Sequence, residues 1–132
     1  MKKIFNYQTK VYYEDTDAGG VVYYANYLKF LERARTEFLA SIGYTNKKLL
    51  EKYQILIIVK SCNINFIKPA KLEDIIKIKS EIKSVKKVSF FMKQTIKLKK
   101  QILVESEIHL VSVNNNGRPS KLPKNLLDKL IK

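Results

Sequence analysis

Apolar residues along this chain change their spacing twice, and the changes mark its elements. Residues 4–13 carry Ile4, Phe5, Tyr7, Val11, Tyr12 and Tyr13, a β-branched and aromatic set that predicts a first strand. An acidic turn bearing glycines follows over residues 14–20. From residue 22 to 42 the period becomes helical. Tyr27, Leu31, Ala34, Phe38 and Ile42, joined by Leu28, Phe30 and Leu39, share one side, while Lys29, Glu32, Arg33 and Glu37 keep to the other. Arg33 and Glu37 stand at i,i+4, where opposite charges attract, and Gly43 supplies the stop. A shorter helix is predicted over residues 45–53, with Thr45 as its cap, and a strand over residues 55–67.

Beyond Pro69 the period falls to two. Ile76, Ile78, Ser80 and Ile82 alternate with Lys77, Lys79, Glu81 and Lys83, as a sheet with one covered and one wet face requires. Residues 88–98 repeat the alternation through Val88, Phe90, Met92, Ile96 and Leu98, and residues 102–113 add a further strand. Short connections predict antiparallel neighbours. Residues 114–117 make a turn, and residues 123–131 form a short terminal helix or an extension of the sheet. No repeat or linker interrupts the pattern, so residues 1–132 are expected to form one domain. Its class is α+β: a strand, one long helix, then a meander of about four strands. One helix cannot cover every edge and apolar surface of such a sheet, so copies are expected to associate as a homodimer or a tetramer of dimers.

The 132 residues suffice for one packed core. Their formal charge of +14 raises the question of a nucleic-acid partner, because lysine and arginine neutralise phosphates. Only three of the 26 basic residues are arginines, however, and the lysines accompany abundant Ile and Asn, a composition that A/T-rich coding produces. From residue 68 to 132 there are 16 basic against 6 acidic residues, an excess that suits a small anionic ligand as well as a polymer. No run reaches the roughly 20 apolar residues of a membrane span, and polar Asn6 and Gln8 follow the first apolar pair too closely for a secretory leader, so a cytoplasmic location is expected. Cys62 and His109 are the sole cysteine and histidine, which excludes an internal disulfide and zinc sites of the Cys/His type. Catalysis then rests on carboxylates, hydroxyls, lysines or backbone groups, and no cofactor or metal is expected.

One run joins such groups. Glu14, Asp15 and Asp17 lie immediately before Gly19 and Gly20, and the predicted helix begins directly after them. Glycines let the backbone turn tightly and approach a ligand closely. A helix start offers unpaired N–H donors and a partial positive charge, which can hold a polarised carbonyl oxygen while a carboxylate attacks its carbon or activates a water. Gly20, Val22 and Tyr23 are the candidate substrate-contacting positions. The same acids could instead cap the helix and oppose its dipole. Physical reasoning by itself leaves capping and catalysis at even odds, and leaves open which acid reacts.

Residues 12–23 read Tyr-Tyr-Glu-Asp-Thr-Asp-Ala-Gly-Gly-Val-Val-Tyr, followed by Ala25, Asn26 and Tyr27 and by Glu32, Arg33, Ala34 and Arg35. This run resembles the signature of hotdog-fold thioesterases of the YbgC and 4-hydroxybenzoyl-CoA type. The resemblance extends more weakly through residues 67–74, the alternating strands, and Leu122 and Pro123. It implies a sheet curled round the long helix and hydrolysis of acyl-CoA thioesters, with acyl-carrier protein as a further carrier. It also implies that Asp17 is the catalytic carboxylate, as nucleophile or general base, that Glu14 and Asp15 serve structure or local electrostatics, and that a helix-start N–H near Tyr24 faces the thioester oxygen. Most YbgC-like sequences carry histidine where this chain has Tyr24; the 4-hydroxybenzoyl-CoA branch carries tyrosine. Tyr13 matches a tyrosine beside the site, and is otherwise a core aromatic at a strand end.

The same resemblance makes Lys86 and Lys87, between two alternating strands, candidates for the CoA phosphates, with Arg118 and Lys121 reaching the same nucleotide; a solvated hairpin turn is the plainer reading. His109 shares strand parity with Glu105 and Glu107 and is expected at the surface. Cys62 shares parity with Ile58, Ile64 and Phe66 and is expected as a small apolar filler. Ser61, Asn63 and Asn65 alternate along the same strand and are weaker candidates for pocket lining. The competing functions are a hotdog protein that binds acyl-CoA or acyl-carrier protein without hydrolysis, and a basic scaffold for nucleic acid, which lacks the paired aromatics of an RNA-recognition signature.

Overall fold

A computed structural model describes residues 3–131. In chain order the elements are β1 (Ile4–Lys10), α1 (Asn26–Ser41), α2 (Asn46–Tyr53), β2 (Leu56–Phe66), β3 (Ile75–Val85), β4 (Ser89–Leu98), β5 (Gln101–Val113) and α3 (Lys124–Ile131). The strands make one antiparallel sheet in the order β1-β3-β4-β5-β2. Only β3, β4 and β5 form the expected meander. β2 crosses to the far edge and pairs with β5, because the connection after it does not turn back as a hairpin. That connection is tied instead to the acidic turn: Val22 N–H donates to Ala70 O, Leu72 N–H to Gly20 O and Glu73 N–H to Val11 O.

Period-two alternation places Ile76, Ile78, Ser80 and Ile82 on the covered face of β3, against the buried face of α1 formed by Phe30, Leu31, Ala34 and Phe38. Phe90, Met92, Ile96 and Ile108 complete this core. The terminal segment is a helix, and Leu126 and Leu130, four residues apart on one face, are fully buried. Among the described residues no helix is long and apolar enough to cross a membrane.

Two boundaries and one register depart from the sequence pattern. β1 ends at Lys10, three residues early, because residues 13–15 curl into a 3-10 turn in which Asp15 Oδ2 accepts the Tyr12 N–H at 2.9 Å. α1 starts at Asn26 rather than residue 22, since Val21 and Val22 are held extended by antiparallel bridges to Lys71 and Thr16. In β2, register shifts between Val59 and Ser61, so that Lys60 is a bulge. The bulge reverses parity: Ile57 packs on the core before it and Ile64 after it. Cys62 is therefore not in line with Ile58. It is also exposed rather than a core filler, because β2 is an edge strand.

His109 does share the outer sheet face, opposite Phe91 and Ser61 in register, yet it is not a free surface residue. Its ring stacks on Phe91 at 4.0 Å and its Nε2 is buried without a hydrogen-bond partner among the described residues. Loss of water, with Lys60 and Lys86 nearby, pushes its pKa below the ordinary imidazole value.

Candidate active site

The three acids of the turn have different environments. Asp15 is buried, and its side chain accepts the Tyr12 N–H. Its backbone oxygen accepts both the Asn26 side-chain amide at 2.9 Å and the Tyr23 N–H at 3.1 Å. Asp15 thus joins the turn to the first residues of α1. Glu14 is exposed. Asp17 is exposed as well, at a position pinned on both sides. Thr16 bridges to Val22, Asp17 N–H donates to Val21 O at 2.9 Å, and Asp17 O accepts the Gly20 N–H at 3.0 Å. Gly19 N–H donates to Asp17 Oδ1 at 2.8 Å, which orients the carboxylate.

Each glycine of the pair has its own reason. Gly20 has φ +78°, in the left-handed region that other residues enter at a cost. At Gly19 a Cβ would come within 3.3 Å of Asp17 Oδ1, so a side chain there would crowd the acid.

The bridge between Thr16 and Val22 folds the acid turn back onto the approach to α1. The helix has no side-chain cap. Its first turn closes through Asn26 N–H to Tyr23 O, Tyr27 N–H to Tyr24 O and Leu28 N–H to Ala25 O, and the Tyr24 and Ala25 N–H groups have no hydrogen-bond partner among the described residues. These are the orphan donors of a helix start. Beside them opens a cleft of ≈ 220 Å³ lined by Val22, Tyr24, Tyr27, Phe66, Ile67 and Pro69. Phe66 comes from the end of β2 and meets Tyr24 edge-on at 6.2 Å and Tyr27 at 5.5 Å. Tyr27 is buried and its hydroxyl oxygen accepts the Ala70 N–H at 2.9 Å, which locks the cleft floor. Burial raises the Tyr27 phenol pKa; Ala70 opposes the rise and Asp74 adds to it.

Tyr13 is not a core aromatic. It lies in the 3-10 turn and is 83% exposed, and Tyr12, Tyr23 and Tyr24 are exposed around the same turn. Lys86, Lys87, Arg118 and Lys121 are all exposed. The fold gathers them, since Leu122 N–H donates to Lys87 O and Ser120 N–H to Ser112 O. They sit at the opposite end of the sheet from Asp17, however. β3 runs from Ile75, opposite Lys10, to Val85, and its 11 residues span about 35 Å. Within one chain, Asp17 and the basic cluster do not meet. Asn63 and Asn65 line a shallow cleft with Lys93, Glu105 and Glu107, in register with the outward residues of β5 and away from α1.

Sequence reasoning passed over Gln94. It is fully buried at the centre of the sheet, where its Nε2 donates to Leu31 O and to Ser80 Oγ, both at 3.0 Å, and its Oε1 accepts Arg35 Nη1–H at 3.0 Å. Ser106 Oγ donates to Gln94 O at 2.8 Å. The signal was a polar residue at a covered-face position between Met92 and Ile96.

An antiparallel sheet packed on one long helix is the architecture that the resemblance to hotdog-fold thioesterases implies. Comparison with known proteins agrees. The acyl-CoA thioesterase YbgC of Haemophilus influenzae is 38% identical over 121 residues, 91% of this chain and 89% of that protein. The acyl-CoA thioester hydrolase YbgC of Escherichia coli is 36% identical over 126 residues, 94% of this chain and 93% of that one. The crystal structure of a probable thioesterase from Bartonella henselae, 35% identical, superposes with a TM-score of 0.88 over 92% of this chain and all of that one. The chain belongs to the thioesterase-like superfamily, which it matches over residues 11–130.

Proposed function

We propose that this chain hydrolyses acyl-CoA thioesters with the Asp17 carboxylate as nucleophile or as general base on a water. The observation that carries the reading is the fold-back of the acid turn onto a helix start whose Tyr24 and Ala25 N–H groups are unpartnered among the described residues. In the transition state the thioester oxygen gains negative charge, and donors already in place stabilise it without reorganising. Attack forms the new carbon–oxygen bond as the carbonyl pair moves to its oxygen; the pair returns as the carbon–sulfur bond breaks and CoA leaves as its thiolate, and on the nucleophile route water then opens the Asp17 acyl anhydride to free the acid and the carboxylate. The names borne by the relatives in Haemophilus influenzae and Escherichia coli support the substrate class. The test is thiol release from a panel of short, branched, aromatic and long acyl-CoAs, run beside the same acyl groups on acyl-carrier protein. No release from any member would overturn the reading.

The donor at the helix start is backbone, so the Tyr24 hydroxyl is dispensable on this account. Tyr24→Phe keeps the ring that meets Phe66 and is expected to change kcat by no more than about twofold. A fall of about a hundredfold would assign the hydroxyl a chemical role.

The nucleotide of CoA is met by a second copy. β2 is a sheet edge, and its Leu56, Ile58, Val59 and Phe66 are about half exposed. Antiparallel pairing of two such edges about a two-fold axis sets the Leu56 end of one strand beside the Phe66 end of the other. Lys86 of the partner subunit and Lys87 of the partner subunit then approach this Asp17 turn, which accounts for their distance from it within one chain. The double change Lys86→Glu and Lys87→Glu is expected to raise KM for acyl-CoA about tenfold and leave KM for the matching acyl-pantetheine, which lacks the nucleotide, unaltered. Equal effects on both substrates, or a monomer in sedimentation equilibrium, would contradict the arrangement.

A further inference from the structure

Exposed apolar side chains gather at the corner where the acid turn meets β1 and β3. Tyr12 is 58% exposed and Tyr13 83%, with Leu72 at 43% and Ile75 at 45%. Tyr12, Tyr13 and Leu72 line a shallow cleft of ≈ 330 Å³ together with Lys10 and Glu73. Ile75 stands opposite Lys10 in the ladder, on the outer face of the sheet, since Ile76 is buried on the inner one. The corner belongs to the β1 edge. β2 is the other edge, so pairing of two copies through β2 leaves the corner open.

The charge around these residues is one-sided. Lys77 lies directly across from Lys97 on the outer face, an arrangement that costs stability, because like charges opposed in a ladder repel. Lys99 and Lys100 form the tip between the paired ends of β4 and β5, at the same end of the sheet, and Lys68 and Lys71 lie in the connection after β2. The exposed acids of this end are Glu14, Asp17 and Glu73, and the lysines outnumber them. Among the described residues the one ion pair joins Lys79 to Glu81, so none of these lysines is matched.

Two tyrosines, a leucine and an isoleucine within a fringe of unmatched lysines fit the headgroup layer of an anionic bilayer. A phenol suits that layer because its ring is apolar and its hydroxyl wet. Leucine and isoleucine gain by burial beneath the headgroups, and lysines extend along the surface to the phosphates. A polyanion such as RNA would satisfy the lysines but leave Leu72 and Ile75 in water. We infer that this corner is a docking face for an anionic lipid surface, which sets the Asp17 turn at the membrane, where long-chain acyl-CoAs collect as amphiphiles. Docking requires no thioester chemistry, so its test is separate from that of the hydrolase reading.

The experiment is co-sedimentation of the full chain with vesicles. Binding to equimolar phosphatidylglycerol and phosphatidylcholine is expected to exceed binding to phosphatidylcholine alone about tenfold or more, and to fall as salt rises. Lys77→Gln with Lys97→Gln should lower it about tenfold, and Leu72→Ser with Ile75→Thr should do the same. The chain contains no tryptophan, so Tyr13→Trp and, separately, Lys86→Trp at the opposite end of the sheet each report on a single position. Lipids brominated in their acyl chains should quench the first and leave the second bright. Equal quenching of the two overturns the proposal, as does an absence of vesicle binding by wild-type protein, which decides the matter even where the paired variants do not fold. Vesicle binding unchanged by Leu72→Ser with Ile75→Thr also overturns it, because lysine charge alone, acting as it would on RNA, then suffices.

Discussion

Gln94→Leu is expected to destabilise the protein by about 3 kcal/mol, a fall in Tm of about 10 °C for a chain of this size. Leucine has comparable bulk, so little of the loss would come from an emptied core. It comes from three hydrogen bonds deleted at once, those to Arg35, to Leu31 O and to Ser80 Oγ. Ser80 is fully buried, so its orphaned hydroxyl would find no water in exchange, the Leu31 carbonyl would keep only its helical partner, and the Arg35 cation would lose its one acceptor. Gln94→Glu separates the contributions. It keeps an acceptor for Arg35 but sets a carboxylate oxygen against the Leu31 carbonyl, and should recover only part of the loss. Urea denaturation reads the effect as a lower midpoint at unchanged slope. A shift under about 0.5 kcal/mol would mean that the network contributes nothing net. The consequence for function follows from place: Gln94 clamps the middle of α1 to the sheet, and the start of the same helix carries the proposed oxyanion donors.

The sheet and the long helix were legible in the sequence wherever burial follows local periodicity. Ile76, Ile78 and Ile82 alternate with charged residues because one face of β3 is covered by α1 and the other is wet. Phe30, Ala34 and Phe38 recur at helical spacing because α1 buries a single stripe. Features set by distant partners were not legible. Val22 read as helix, yet its antiparallel bridge to Thr16 holds it extended. Cys62 read as a filler because the bulge at Lys60 and the edge position of β2 leave no mark in the pattern.

The acid turn divides in the same way. That acids, glycines and a helix start belong together could be read directly from residues 14–26. That Asp15 turns inward to hold Tyr12 while Asp17 stays open depends on the 3-10 turn and on the bridge from Thr16 to Val22, neither of which has a periodic signature. Gln94 and Ser80 were visible as polar residues at covered-face positions, but their partners lie on other elements, so their pairing emerged only from the fold.

The most direct test of the account is thiol release from acyl-CoA by Asp17→Asn, measured beside wild-type protein with the better substrates of the panel. Asparagine preserves shape, and its Oδ1 can still accept the Gly19 N–H that orients the carboxylate, so fold and substrate binding should survive. What disappears is an oxygen able to attack the carbonyl carbon or to take a proton from water, while the helix-start donors stay in place. The account predicts kcat lower by about 1,000-fold or more, with KM within a few-fold of wild type. Thiol release by Asp17→Asn within about threefold of the wild-type rate would contradict it.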